Sequence, residues 1–114
     1  MAVVNLAAEE PSPKLPRSMI YCHFPLTDGV QDDQTILRVT IQTVVSLLKS
    51  QVPALVYCGA GMSRSPAVVA AAISIIQGSS PDEKLKEIVA GHPHDVSPHL
   101  WEAVLEACRA LQER

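Results

Sequence analysis

Val56-Tyr57-Cys58-Gly59-Ala60-Gly61-Met62-Ser63-Arg64-Ser65-Pro66 joins two apolar segments of different character. Ahead of it, Ala54 to Tyr57 is a short apolar run bounded by Pro53, the pattern of a buried strand. Behind it, Ser65 to Gln77 is apolar on nearly every side, the pattern of a helix in the middle of a protein, and Gly78 is its natural stop. Between them, Gly59 to Ser63 is a five-residue loop with two glycines. Such a loop curls so that successive backbone N–H groups aim inward as an anion nest. The dipole of the following helix adds partial positive charge at the same point. Pro66 costs that helix nothing, because a first-turn N–H has no partner within the helix. In open α/β sheets ligands bind at the carboxyl ends of strands, where helix N-termini point.

Cys58 opens this loop and Arg64 closes it. The donors that hold an oxyanion also stabilise a thiolate. Free cysteine has a pKa of about 8.5, and helix N-termini and nearby cations lower it to between roughly 3.5 and 7.5. Arg64 offers a planar fork that pairs two oxygens of one anion, a geometry lysine does not reproduce. The Ser65 hydroxyl adjoins it and is placed to donate to the sulfur when sulfur is the leaving group. The candidate phosphate-binding set is therefore Gly59, Ala60, Gly61, Met62, Ser63 and Arg64, with Cys58 as nucleophile.

Working outward, Ala2 to Leu6 and Met19 to Phe24 read as two more strands. Glu9 to Arg17 contains Pro11, Pro13 and Pro16 and is a surface connection. Pro25 to Gln31 reads as a loop. Asp32 or Asp33 caps a helix running to about Ser50, with Ile36, Leu37, Ile41, Val44, Val45 and Leu48 on one face. Ser80, Pro81 and Glu83 carry a cap, a first-turn proline and a capping box for a short helix to about Ala90. Ser97 and Pro98 repeat the device for a last helix bearing Leu100, Trp101, Val104, Leu105, Cys108 and Leu111. Alternating strands and helices predict an α/β fold with a small, mainly parallel central sheet flanked by helices.

A chain of 114 residues predicts a single domain, 1–114. Its net charge of −3 excludes nucleic acid as the main partner, since backbone phosphates need a basic surface. No run approaches the roughly 18 apolar residues of a membrane span, and Met1 to Leu6 lacks the basic lead of a secretory signal. Cys22, Cys58 and Cys108 match neither a disulfide framework nor a zinc pattern, so reduced thiols in the cytoplasm are expected. Cys22 and Cys108 read as small buried hydrophobes; a protective Cys22–Cys58 disulfide under oxidation is the minor alternative. His92 and His94 flank Pro93 without a third ligand and read as solvated loop rather than a metal site. His99 reads as surface, His23 as a strand residue with a satisfied ring, and Trp101 as packing. Lys14 and Arg17 read as solvated, with contact to a substrate's negative charge as the alternative.

Cys-x5-Arg-Ser resembles the signature of the cysteine-dependent protein tyrosine phosphatases, and Ala60-Gly61-Met62-Ser63-Arg64-Ser65-Pro66 resembles its dual-specificity branch most. Asn5-Leu6 followed by Glu9, Pro25-Leu26-Thr27-Asp28, and Pro98 at the last helix extend the resemblance over almost the whole chain. It implies hydrolysis of phosphotyrosine monoesters, with phosphoserine and phosphothreonine as the extension, on a phosphorylated protein or small phosphomonoester, through a phosphocysteine on Cys58 with neither metal nor cofactor. Asp28, Asp32 and Asp33 are the acids available to protonate the leaving oxygen. Thirty residues separate Asp28 from Cys58, matching the family's spacing of roughly thirty for a general acid. Two departures stand out. Tyr57 occupies the place where the family usually has His, which points to a weaker thiolate and, as alternative, a catalytically weak or inactive phosphate-binding module. The chain also starts almost at its Asn-Leu strand, a minimal or N-terminally shortened form of the phosphatase-like fold. Rhodanese-like and arsenate-reducing enzymes also place Cys before Arg in a loop, but lack the Ala-Gly-x-Ser-Arg-Ser-Pro form. Oligomeric state is not legible in the sequence.

Overall fold

Ala2–Ala7 is buried at all six positions, as a strand flanked on both edges and covered on both faces must be. It is β1, the middle of a parallel sheet in the order β2-β1-β3, with β2 at Ile20–Leu26 and β3 at Ala54–Tyr57. The helices are α1 (Gln34–Lys49), α2 (Arg64–Gln77), α3 (Pro81–Val89) and α4 (Pro98–Gln112). This computed structural model describes residues 1–8, 14–27, 34–58, 63–91 and 95–112. The architecture is the α/β fold with a small parallel sheet that the sequence predicts.

Strand alternation sends Val4, Leu6, Val56 and Cys58 to one side, with Cys22 and Phe24 packed against them. There they meet Leu37, Ile41, Val44 and Val45 of α1, Val68 and Ala71 of α2, and Leu100 and Val104 of α4 in one core. Helix α2 lies centrally, its residues Ala67, Val68, Ala70, Ala71 and Ala72 all fully buried. It ends at Gly78, whose φ of 66° is the left-handed conformation that glycine adopts without strain. Helix α3 buries no residue fully and lies against α2.

Several local expectations change. Strand β2 continues through Pro25 and Leu26, which the sequence assigns to a loop. Pro25 is tolerated because β2 is an edge strand of the described sheet and the register shifts there: Asn5 pairs with His23, but Ala7 with Leu26. Helix α2 starts at Arg64, one residue earlier than predicted. Ser80 makes no side-chain cap bond, so the capping box is not formed and Pro81 alone marks the start of α3. Leu48 is exposed and Leu47 packs on the core instead. Asp32 and Asp33, proposed as the cap of α1, lie outside the described residues, as do Glu9 and the His92–His94 segment.

Candidate active site

Parallel strands bring their carboxyl ends to one rim, and the candidate residues collect there. Cys58 follows β3 directly and is 6% exposed. Ser63 is the N-cap of α2, and Arg64 and Ser65 are its first two residues. All three are buried. Burying polar groups costs about 2–7 kcal/mol each without compensating bonds. Among the described residues, buried Thr40 and Ser74 answer that cost within their own helices, bonding Ile36 O at 2.7 Å and Ala71 O at 2.8 Å. Ser63, Arg64 and Ser65 are instead three consecutive buried polar residues at a helix start.

Their bonds are directed at the rim. The Ser65 N–H donates to Cys58 Sγ at 3.4 Å, so the sulfur sits on the positive end of α2. Arg64 reaches across to β2, where Nη1–H donates to Leu26 O at 2.9 Å. This bond ties the start of α2 to the end of β2, two residues before Asp28 in sequence. Asp28, Gly59, Ala60, Gly61 and Met62 lie outside the described residues. The described geometry thus brings Cys58, Ser63, Arg64 and Ser65 together.

The middle strand shapes the same rim. Asn5, fully buried, accepts the Ala7 N–H on Oδ1 at 2.9 Å and donates from Nδ2 to Tyr21 Oη at 3.1 Å. The His23 Nε2–H donates to Ala7 O at 2.8 Å. Asn5 pairs with both His23 and Tyr57, so these three form one row across the sheet, next to Cys58.

No family model and no curated protein matches the chain. Solved structures do. Human DUSP28 superposes with a TM-score of 0.81 at 24% identity, over 98% of this chain and 79% of that one. A mouse protein described as a dual specificity phosphatase, solved with zinc tungstate, gives 0.81 at 25% identity over 98% and 71%. A human tyrosine phosphatase-like serine/threonine/tyrosine-interacting protein gives 0.76 at 18% identity over 99% and 78%. The fold is that of the dual-specificity phosphatases.

On this phosphatase fold the cysteines separate clearly. Cys22 and Val56 both pair with Val4, two strand spacings apart, which is about 10 Å. Cys58 lies further along still, so the Cys22–Cys58 disulfide is excluded without backbone movement, a bridge needing Cα atoms within roughly 7 Å. Burial pushes the Cys108 thiol up from 9.0 to about 11, against smaller opposing effects of the Ser74 hydroxyl and Arg109. Cys108 is thus an inert core thiol, unlike Cys58 at a helix N-terminus. Arg17 is exposed at the opposite end of the sheet, where Ile20 N–H meets Met1 O, and does not face the rim. Trp101 packs against the core and donates from Nε1 to Asp82 at 2.8 Å, tying α4 to α3.

Three contributors to the rim escape sequence reasoning. Leu26 contributes a backbone carbonyl, which leaves no signal in residue type. Asn5 has one: a polar residue inside the otherwise apolar run Ala2–Ala7. Ser97 reads only as a helix cap, yet its N–H lies 3.4 Å from Ser63 Oγ. Among the described residues no cluster of ligating side chains could hold a metal, and no helix is long and apolar enough to cross a membrane.

Proposed function

We propose that this chain is a phosphatase of the dual-specificity type. It hydrolyses phosphotyrosine monoesters, and phosphoserine and phosphothreonine in the same cup, through a phosphocysteine on Cys58. The observation that carries this reading is the Ser65 N–H directed at Cys58 Sγ at the N-terminus of α2, beside a buried, oriented Arg64. An N–H donor and a helix N-terminus favour the thiolate form of such a sulfur, and the same donors suit an oxyanion. The mouse neighbour's tungstate is a tetrahedral oxyanion of phosphate's shape, which is consistent with such a cup.

In the first step the Cys58 thiolate attacks phosphorus, the P–O bond to the leaving group breaks, and Asp28 gives that oxygen its proton. In the second, Asp28 as carboxylate takes a proton from water, whose oxygen displaces sulfur from phosphorus and regenerates the thiolate. Arg64 and the amides of Gly59 to Arg64 hold the equatorial oxygens throughout, and the Ser65 hydroxyl stabilises the departing sulfur. No step requires a metal or cofactor. Reduced Cys58 fits a reducing compartment, so we place the protein in the cytoplasm.

Turnover of p-nitrophenyl phosphate against pH, for wild type, Cys58→Ser and Asp28→Asn, tests the reading. Wild type should show an acid-side optimum. Cys58→Ser should abolish turnover, and Asp28→Asn should lower it by about 10²–10⁴-fold, most at low pH. Half-buried Tyr57, directly ahead of Cys58, favours one second reading, a phosphate-binding module. Wild type that binds vanadate without turnover would establish that module instead.

A further inference from the structure

We infer that Asn5 and His23 are positioning residues. Their side chains clamp the backbone of Ala7 from both sides, hold the register shift between β1 and β2, and so set where the Leu26 carbonyl meets Arg64. The consequence for phosphate binding rests on the phosphatase reading; the clamp itself does not. The first four pairs of β1 and β2 keep one register, from Ala2 with Ile20 to Asn5 with His23. Continued, that register would set Ala7 against Pro25, which has no N–H to give a ladder. Ala7 pairs with Leu26 instead, so β2 carries one extra residue at this point.

Such a shift interrupts the ladder, and Ala7 is fully buried, so its backbone polar groups need partners there. The side chains of the last regular pair reach forward to them. Asn5 Oδ1 accepts the Ala7 N–H at 2.9 Å, and the His23 Nε2–H donates to Ala7 O at 2.8 Å. Tyr21 Oη accepts from Asn5 Nδ2 at 3.1 Å, which turns the Asn5 amide so that its oxygen faces Ala7. The Tyr21 and His23 rings stand 6.4 Å apart between centroids, so the three side chains form one unit on this face of the sheet. Leu26, the residue paired beyond the shift, is 1% exposed, and its carbonyl receives the Arg64 Nη1–H at 2.9 Å. Loss of the shift would move that carbonyl by one residue spacing, about 3.3 Å, beyond hydrogen-bond range of its present donor. Whatever else Arg64 meets, the clamp sets the place of this acceptor and of the strand end two residues before Asp28 in sequence.

Leu26-Thr27 is the only Leu-Thr step in the sequence, so isotope labelling of leucine carbonyl carbon and threonine nitrogen gives that peptide bond one NMR signal. A glutamine amide nitrogen reaches the place of imidazole Nε2, whereas that of asparagine stops at the place of Nδ1. His23→Gln should therefore leave the Leu26 carbonyl signal at its wild-type position. His23→Asn should move it most of the way to its position in Arg64→Met, where the guanidinium is gone, and weaken binding of inorganic phosphate by about tenfold. A carbonyl signal unmoved in His23→Asn, or moved equally by glutamine and asparagine, would overturn the clamp. Should His23→Asn fail to fold, Tyr21→Phe decides. Without the hydroxyl that orients Asn5, the Ala7 amide should exchange at least about tenfold faster and the Leu26 carbonyl signal should shift in the same direction; an unmoved signal sinks the inference. A carbonyl that moves as expected in a protein whose wild type binds no phosphate removes the phosphatase reading alone. Phosphate-ester turnover with an unmoved carbonyl removes the clamp alone.

Discussion

Replacing Arg64 by lysine keeps the positive charge and removes the fork. In the structure Arg64 is 7% exposed, and its guanidinium donates one N–H to Leu26 O at 2.9 Å. A lysine ammonium is a single point of charge, and it cannot hold that carbonyl and pair two anion oxygens from one plane. Losing a charged hydrogen bond at a buried site costs about 1.5–3 kcal/mol. For a domain of this size that is roughly 4 °C per kcal/mol, a fall of about 6–12 °C in Tm. The catalytic loss is separate: one donor aimed at transition-state charge contributes about 10²–10³ in kcat. Thermal unfolding by circular dichroism and p-nitrophenyl phosphate kinetics at a temperature where both proteins are folded read the two effects apart. Added phosphate should raise the wild-type Tm and barely move that of Arg64→Lys, since only a bound anion stabilises by mass action. A variant that keeps activity within about threefold, whatever its Tm, would refute the role assigned to the fork.

Tyr57→His places an imidazole ahead of the nucleophile, in the row shared with Asn5 and His23. It should lower the thiol pKa of Cys58 by about one unit and raise kcat/KM near pH 6 accordingly; iodoacetate alkylation and turnover that both stay at wild-type values would remove Tyr57 as the limiting feature. Cys108 predicts an alkaline weakness. Its folded pKa of about 11 exceeds the ordinary 9.0, so the unfolded thiol ionises first as pH rises. The unfolded state then binds fewer protons, and stability is complete below pH 9 and falls between pH 9 and about 11. Tm measured across that window should drop less in Cys108→Ala, relative to its own value at pH 8, than in wild type. Parallel curves would show that burial of this thiol is not the cause.

The frame of the fold is legible because local signals agree. The apolar runs at Ala2 and Ala54, the all-round apolar α2 and Gly78 behind it each dictate one element, and the elements pack as their periodicity requires. The spacing of Cys58 and Arg64 across a glycine-bearing loop implies that the two meet at the strand ends, and both stand at that rim. Errors fall where tertiary context overrides a local rule. Pro25 reads as a strand breaker, but a register shift on an edge strand accommodates it. Ser80 reads as a side-chain cap, but its helix is held by Pro81 and by contact with α2. Contributions made by backbone atoms, the Leu26 carbonyl and the Ser97 N–H, depend on where the chain returns in space and leave no trace in residue type.

The proposed phosphatase reaction turns on the Cys58 sulfur. Acid quench of the enzyme mixed with p-nitrophenyl phosphate, followed by mass spectrometry of the digest, reads that atom directly. A phosphoryl group should be found on the Cys58 peptide within one turnover, and on no peptide of Cys58→Ser. Turnover with Cys58 unmodified, or a phosphoryl group carried by another residue, would contradict the account.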